Sequence, residues 1–447
     1  MFSLVDMHRR TFLSVSLATP AGLLNNLPCA PQQATPVAAG LPLEALQKRY
    51  RAWLFDDFLP FMDRHVIDWK HGGFMCGVGH DGIRQHDRKA TWFEGRGTWV
   101  YAFLYSQFGR HERYLEVARR SLDLVLRVRP ARGGLWPKEL TREGAPYGPP
   151  ETAVYGALFV AEGAAEYARA TNERKYWDLA HELVLESVQR YDREDYEPTI
   201  GQTYLGPSAR AFPGARIQGV WMVLMRVVTQ MLEQRPDSGL EAVADRCVDA
   251  ILTRHYNPAF RLNNELLNHD LSRPDNEYAQ LVYTGHCIET FWMLLHEALR
   301  RKDAKLFTVA ADRFRRHVEV AWDDVYGGVL RNLMNVHANS WTLDKVLWAQ
   351  EEVLIGSLVV YECSGATWAK ELFERTLAYV EATYPLADHK SPVWMYAGNR
   401  RMTFDDFLTR PRRIENYHHP RHLMLNLLAI DRLLRRVGVP VGVAGAL

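Results

Sequence analysis

The feature that most constrains this chain is a spacing. An amphipathic helix ends, a small polar turn follows, and a second helix opens with an aromatic residue four positions ahead of Ala or Phe. Gly109-Arg110-His111-Glu112-Arg113-Tyr114-Leu115-Glu116-Val117-Ala118 is one copy, and residues 172–180, 238–244, 302–311 and 365–373 are others. Anchored at Ala118, Ala180, Ala244, Ala311 and Phe373, the steps are 62, 64, 67 and 62 residues. With a first copy at residues 43–66, the plan gives six helical hairpins. A hairpin with one apolar face cannot bury it alone, so each must stack on its neighbours. The period is long for the common open helical arrays, which repeat at roughly 34–47 residues. We therefore read an all-α fold, a closed (α/α)6 barrel with first helices inside and second helices outside. The surplus length lies in loops. His71-Gly72-Gly73-Phe74, Arg132-Gly133-Gly134-Leu135 and Tyr326-Gly327-Gly328-Val329 mark short β-hairpins within them.

Around that frame the chain divides simply. Residues 1–40 read as a targeting segment and linker: Arg9-Arg10-Thr11-Phe12-Leu13 with an apolar stretch to Leu24 resembles a twin-arginine export signal. The corresponding destination is periplasmic or extracellular. Residues 41–436 form the barrel, and 437–447 a tail. The five cysteines are scattered without Cys-x-x-Cys pairing, which argues against a disulfide framework or a zinc knuckle. A formal net charge of +1 gives no electrostatic case for nucleic acid or an anionic membrane. No apolar run approaches the roughly 18 residues that a membrane span requires. No phosphate-binding or dinucleotide-binding glycine loop is present, so no nucleotide cofactor is expected.

Lining up the inner-helix starts locates a site. They fall at Arg96, near Tyr155, near Arg216, at His286, at Lys345–Trp348 and at His418, in steps of 59, 61, 70, 59 and 73 residues. In a closed ring these starts converge on one mouth, where uncapped N–H groups favour an anionic intermediate. In Tyr283-Thr284-Gly285-His286-Cys287-Ile288-Glu289, an apolar stripe runs through Ile288, Phe291, Trp292, Leu295 and Leu299. His286 and Glu289 lie three apart on the other face, read as turned away from the packed core. A helix start disfavours an imidazolium while a carboxylate favours it, so His286 is suited to proton transfer near neutrality. In Tyr417-His418-His419-Pro420-Arg421-His422, the proline suits a first helical position, which puts His418 just ahead of the helix. His418 and His422 have the i,i+4 spacing of metal ligands, but no acidic or cysteine partner sits at a matching offset, so no metal is expected. Trp92, Trp99, Trp136, Trp348 and Trp394 are candidate stacking platforms, whereas Trp292 falls on the core stripe.

Arg96 with Trp99, Gly285-His286-x-x-Glu289, Lys345-x-x-Trp348-x-Gln350-x-Glu352 and Tyr417-His418-x-Pro420-Arg421 occur in this order across residues 45–435. Together they resemble the N-acylglucosamine 2-epimerase family, which also holds cellobiose and mannobiose 2-epimerases and aldose–ketose isomerases. The resemblance implies an (α/α)6 barrel without an organic cofactor, acting at C2 of a reducing-end mono- or oligosaccharide. It implies His286 and His418 as bases on opposite faces of an open-chain sugar, Glu289 orienting His286, and Arg96 stabilising the enediolate oxygen. It further implies substrate contacts from Trp99, Lys345, Trp348, Gln350, Glu352, Arg421, Arg216 and Tyr155. The family's Met-His-x-x-Glu-Ala run is absent: Phe212-Pro213-Gly214-Ala215-Arg216-Ile217-Gln218-Gly219 stands there without a histidine, and the family's tandem Trp is Leu347-Trp348. Two other readings use the same barrel: a glycoside hydrolase or lyase, needing two facing carboxylates from Glu94, Glu151, Glu289 and Glu352, and a non-catalytic glycan-binding protein. The sequence is compatible with a homodimer.

Overall fold

A computed structural model describes residues 37–38, 41–198, 209–386, 391–394, 397–398, 414–439 and 441. The twin-arginine motif and Cys29 lie outside these residues, as does most of the tail. Among the described residues there are twelve long helices. In chain order they are α1 (residues 43–66), α2 (Thr91–Gln107), α3 (Glu112–Leu126), α4 (Tyr155–Thr171), α5 (Arg174–Tyr191) and α6 (Gln218–Gln234). Then follow α7 (Ser238–Asp249), α8 (Thr284–Arg301), α9 (Ala304–Ala321), α10 (Leu347–Ser364), α11 (Thr367–Thr383) and α12 (His418–Arg436). No helix among them is long and apolar enough to cross a membrane.

The even-numbered helices pack side by side in a ring that closes from α12 back to α2, and each odd-numbered helix covers the outside. Burial follows that division. Helix α2 is buried over nearly its whole circumference, as a helix walled in by ring neighbours and an outer layer must be. Helix α3 buries one stripe, Val117, Ala118, Ser121, Leu122, Leu124 and Val125, and leaves the rest to solvent. The (α/α)6 barrel expected from the repeat is the fold found. Its hairpins are partitioned differently at the ends: α1 is an outer helix that packs on α12. The sixth hairpin is thus assembled from the two ends of the chain, an inner helix from one and an outer helix from the other. A ring of alternating layers forces this once the first described helix lies outside.

The two ends of the barrel differ. Inner-to-outer turns take two to four residues and use left-handed backbone at Gly109, Asn172, Lys302 and Gly365. Outer-to-inner connections are long, carry short β-hairpins, and lie over the inner-helix N-termini. Two of these connections repeat one module. The Asp68 N–H donates to the Gly73 carbonyl (2.9 Å), Gly72 and Gly73 take φ of +85° and +75°, and Lys89 Nζ reaches Asp68 Oδ2 at 3.1 Å. Five residues after the lysine, Glu94 accepts the Phe74 N–H at 3.0 Å. Asp323, Gly327, Gly328, Lys345 and Gln350 repeat every contact: Asp323 N–H to Gly328 O at 2.9 Å, Lys345 Nζ to Asp323 Oδ2 at 2.8 Å, Val329 N–H to Gln350 Oε1 at 2.8 Å. Both lysines are fully buried. Losing either partner would strand a charge, at a cost of about 3–5 kcal/mol. The Gly-Gly pairs are therefore anchored turns that hold the long connections over the mouth.

Candidate active site

His418 is the first residue of α12, and its Nδ1 lies 2.9 Å from Glu352 Oε1 and 3.8 Å from Glu289 Oε1. Arg421, one turn later, donates from Nη2 to both carboxylates at 2.6 Å and stands 3.1 Å from His418 Nδ1. The Arg421 guanidinium is fully buried between the Trp292 and Tyr417 rings, at 5.1 and 4.4 Å. Burial opposes its charge, but Glu352, Tyr417 and Glu289 outweigh that and hold it protonated. Burial acts on His418 in the same sense, but there it outweighs Glu289 and, with Arg421 adding to it, drives the pKa down to about 3, so the imidazole is neutral at physiological pH. With its one proton on Nδ1 and donated to Glu352, Nε2 is left as the basic nitrogen.

His286 has a different setting. Its Nδ1 lies 2.8 Å from Oε1 of Glu265, a residue between two short strands whose carbonyl accepts the N–H of Gln218 at the start of α6. The ring packs edge-on to Tyr283 at 3.9 Å. Trp348, in the first turn of α10, stands between the two histidines, its ring centre 6.0 Å from His286 and 5.2 Å from His418. Gly285 permits this: a Cβ there would come within 2.6 Å of the Trp348 ring. Glu289 thus belongs to the Arg421 and His418 side, and Glu265 is the carboxylate on His286. Helix α8 is also buried nearly all round, Glu289 and Thr290 included, so its second face points into the barrel.

Arg96 completes the mouth. It lies in the second turn of α2, whose first residue is Thr91. Its guanidinium carbon is 4.1 Å from the Phe159 ring, 4.8 Å from Tyr417 and 5.1 Å from Trp92, and the nearest carboxylate oxygen, on Glu415, is 3.9 Å away. Three aromatic faces hold the cation by π contacts, and its Nε has no hydrogen-bond partner among the described residues.

The match to known proteins agrees with this geometry. Residues 42–419 match the family model described as N-acylglucosamine 2-epimerase (GlcNAc 2-epimerase). The chain belongs to the N-acylglucosamine 2-epimerase family. By class it is a carbohydrate epimerase or isomerase. It is 28% identical over 356 residues to the N-acylglucosamine 2-epimerase of Bos taurus, covering 75% of this chain and 82% of that protein. It is 22% identical over 337 residues to the cellobiose 2-epimerase of Dictyoglomus turgidum, covering 72% and 83%. Its fold is similar to the solved cellobiose 2-epimerase of Bacillus thermoamylovorans, with a TM-score of 0.72 at 16% identity over 86% of this chain and 99% of that one.

Within this member of the family, several expected substrate contacts lie elsewhere. Lys345 and Gln350 serve the turn module described above and are fully buried. Arg216, in a short strand before α6, donates to the Gly214 and Arg193 carbonyls and stacks over Tyr191. Trp99 is fully buried and donates from Nε1 to Gln230 at 2.8 Å, which makes it the floor of the barrel interior. Tyr155, by contrast, does stand at the mouth, as the first residue of α4. Glu352 and Arg421 surround His418 rather than an open surface. Glu265 escaped the sequence reading because it sits on a loop with no helical offset to His286. Its only sequence signal is an acidic residue inside the long connection before α8.

The carboxylates do not form a hydrolase pair. Glu289 and Glu352 share one Arg421 nitrogen, Glu94 is tied to Ser121 and the Phe74 N–H, and Glu151 caps Gly156. Two sets of side chains have metal-ligand composition. In Glu289, Glu352 and His418, the Arg421 nitrogen already sits among the ligand atoms. In Glu351, His419 and His422, Asn426 donates to Tyr50 and Tyr50 lies 3.0 Å from His422 Nε2. Donation by Tyr50 puts the His422 proton on Nδ1, facing Glu351 at 3.4 Å. His419 Nδ1 points at the same carboxylate oxygen. The first set is thus filled by the Arg421 cation, whereas in the second Glu351 Oε2 has no hydrogen-bond partner among the described residues.

Proposed function

We propose that this protein inverts C2 of a reducing-end sugar by a two-histidine mechanism through an enediolate. The observation that carries the reading is the pair His286 and His418 on either side of Trp348, with Arg96 at the same mouth. A proton on C2 beside an aldehyde is weakly acidic, and its removal needs a base and a cation for the oxygen that gains charge. Neutral His418 takes that proton, the C2–H electrons form the C1–C2 double bond, and O1 becomes an oxyanion facing Arg96. A positioned base contributes typically ~10²–10⁴-fold, and a preorganised donor at the oxyanion roughly 10²–10³-fold. His286, paired with Glu265, returns a proton to the opposite face of C2, which gives the other epimer. In the reverse direction the two exchange roles. Trp348 supplies an apolar platform between them, suited to the C–H face of a sugar. Glu289 acts through Arg421 on the His418 side.

The test is incubation of the full chain with N-acetylglucosamine, glucose and cellobiose in D₂O, with the C2 proton followed by NMR. Deuterium at C2 accompanied by the C2 epimer supports the reading. Deuterium with a ketose product assigns isomerisation instead, new reducing ends assign hydrolysis, and an unchanged spectrum for every sugar leaves a binding protein.

A further inference from the structure

The six inner helices bring residues of their first two turns to the mouth in cyclic order. They are Arg96 on α2, Tyr155 and Phe159 on α4, Gly219 on α6, His286 on α8, Trp348 on α10 and His418 on α12. The circle closes through contact. Arg96 lies on Phe159 at 4.1 Å, Phe159 stacks with Tyr155 at 6.4 Å, Trp348 links the histidines, and Tyr417 returns to Arg96. At this position α6 brings a glycine. A Cβ on Gly219 would meet Tyr155 Oη at 2.8 Å, and His286 Cε1 and Nδ1 at 3.0 Å. Glycine here leaves no void, because a phenol and an imidazole lean over the helix start from its two sides.

We propose that Tyr155 is a catalytic residue that handles the ring-oxygen proton when the cyclic sugar opens. The proposal rests on the C2-epimerase reading and adds the step that must precede it. A reducing hexose in water is almost wholly a hemiacetal ring, and in the ring C2 is not next to a carbonyl. Opening requires a base for the O1 proton and an acid for O5. His286 accepts the O1 proton, the O1 electrons form the C1–O double bond, and the C1–O5 bond breaks with its electron pair going to O5. Tyr155 Oη gives O5 its proton. The imidazolium so formed is the acid that the C2 step needs on the His286 face; when the ring closes, the Tyr155 phenolate takes back the O5 proton and protonated His418 returns one to O1. No external oxidant, reductant or metal enters the balance. Gly219 is the residue that lets the two approach.

The experiment compares wild type, Tyr155→Phe and Gly219→Ala on two substrates, after melting curves confirm that each is folded. One is a reducing hexose, and the other is the same hexose methylated at O4, O5 and O6, which cannot form a five-, six- or seven-membered hemiacetal ring. Deuterium uptake at C2 is read for both, and exchange between α and β anomers for the first. Tyr155→Phe should lose roughly 10²-fold on the cyclic sugar, lose catalysed anomer exchange, and stay within about threefold of wild type on the open-chain analogue. Gly219→Ala, which keeps both side chains but forces them apart, should lose ring opening as well. Equal losses of Tyr155→Phe on both substrates, or none on the cyclic one, overturn the assignment while leaving the epimerase reading intact. Wild type inactive on both substrates overturns that reading, and this one with it.

Discussion

The two histidines at the mouth stand a few ångströms from the same tryptophan but in opposite surroundings. His418 is buried, ringed by Glu352, Glu289 and a fully enclosed Arg421, and kept neutral. His286 is partly exposed, with Nδ1 on the Glu265 carboxylate. One fold thus gives two imidazoles at the same mouth unlike settings. On one side burial and a guanidinium remove the ring's charge, and on the other Glu265 holds the ring through Nδ1 at 2.8 Å. Under the two-histidine proposal one face begins as base and the other as acid, and the two exchange roles in the reverse direction.

Three substitutions separate the two sides. Arg421→Met has the largest expected effect. It leaves Glu289 and Glu352 buried together without their cation, a loss of about 3–5 kcal/mol of stability. Denaturant melts should show it, and a variant as stable as wild type would mean the cluster is not charge-balanced as described. Glu265→Gln touches only the His286 side. It removes the charge while keeping the shape, and kcat should fall on the order of 10²-fold with KM nearly unchanged. Glu289→Gln should leave His286 chemistry intact and act through Arg421 instead. If Glu289→Gln rather than Glu265→Gln abolishes the contribution of His286, the pairing drawn here is wrong.

That pairing also shows where the sequence was legible. The hairpin period, the inner-helix starts and the positions of both histidines follow from local spacing, which a repeating helical ring preserves. What spacing could not give was which carboxylate meets which histidine. Glu289 lies one turn from His286 on the same helix, yet α8 directs it toward α12, and the partner of His286 comes from a loop 21 residues earlier in the chain. Lys345 and Gln350 misled for a related reason. They sit near an inner-helix start, but the Gly327-Gly328 turn claims both. Residues at the mouth are shared between chemistry and the anchoring of long loops, and only packing assigns them.

Smaller effects concern the remainder of the barrel. His255 and His317 are buried away from the mouth, and burial lowers each pKa from 6.5 to about 4. Between those values the unfolded chain binds a proton that the native state does not. Stability should therefore fall as pH drops from about 6.5 toward 4, by up to about 1.4 kcal/mol per pH unit for each group. Melting temperatures at pH 7.5 and 5.0 check the sign, and His317→Gln should flatten the slope. Dialysis against EDTA should change neither melting temperature nor turnover. A loss rescued by one divalent metal would instead assign Glu351, His419 and His422 as ligands.

If His286 and His418 serve opposite faces of C2, isotope exchange by the asparagine variants separates the two. Each purified epimer is incubated in D₂O with His286→Asn and with His418→Asn, and C2 deuterium and conversion are followed separately. Net conversion should drop on the order of 10²-fold or more in both variants. The account predicts that His286→Asn still exchanges the C2 proton of the one epimer whose C2–H faces His418, without converting it. His418→Asn should do so only for the other epimer. Near-wild-type conversion by either variant, or exchange of the same epimer by both, would contradict the opposed-base arrangement.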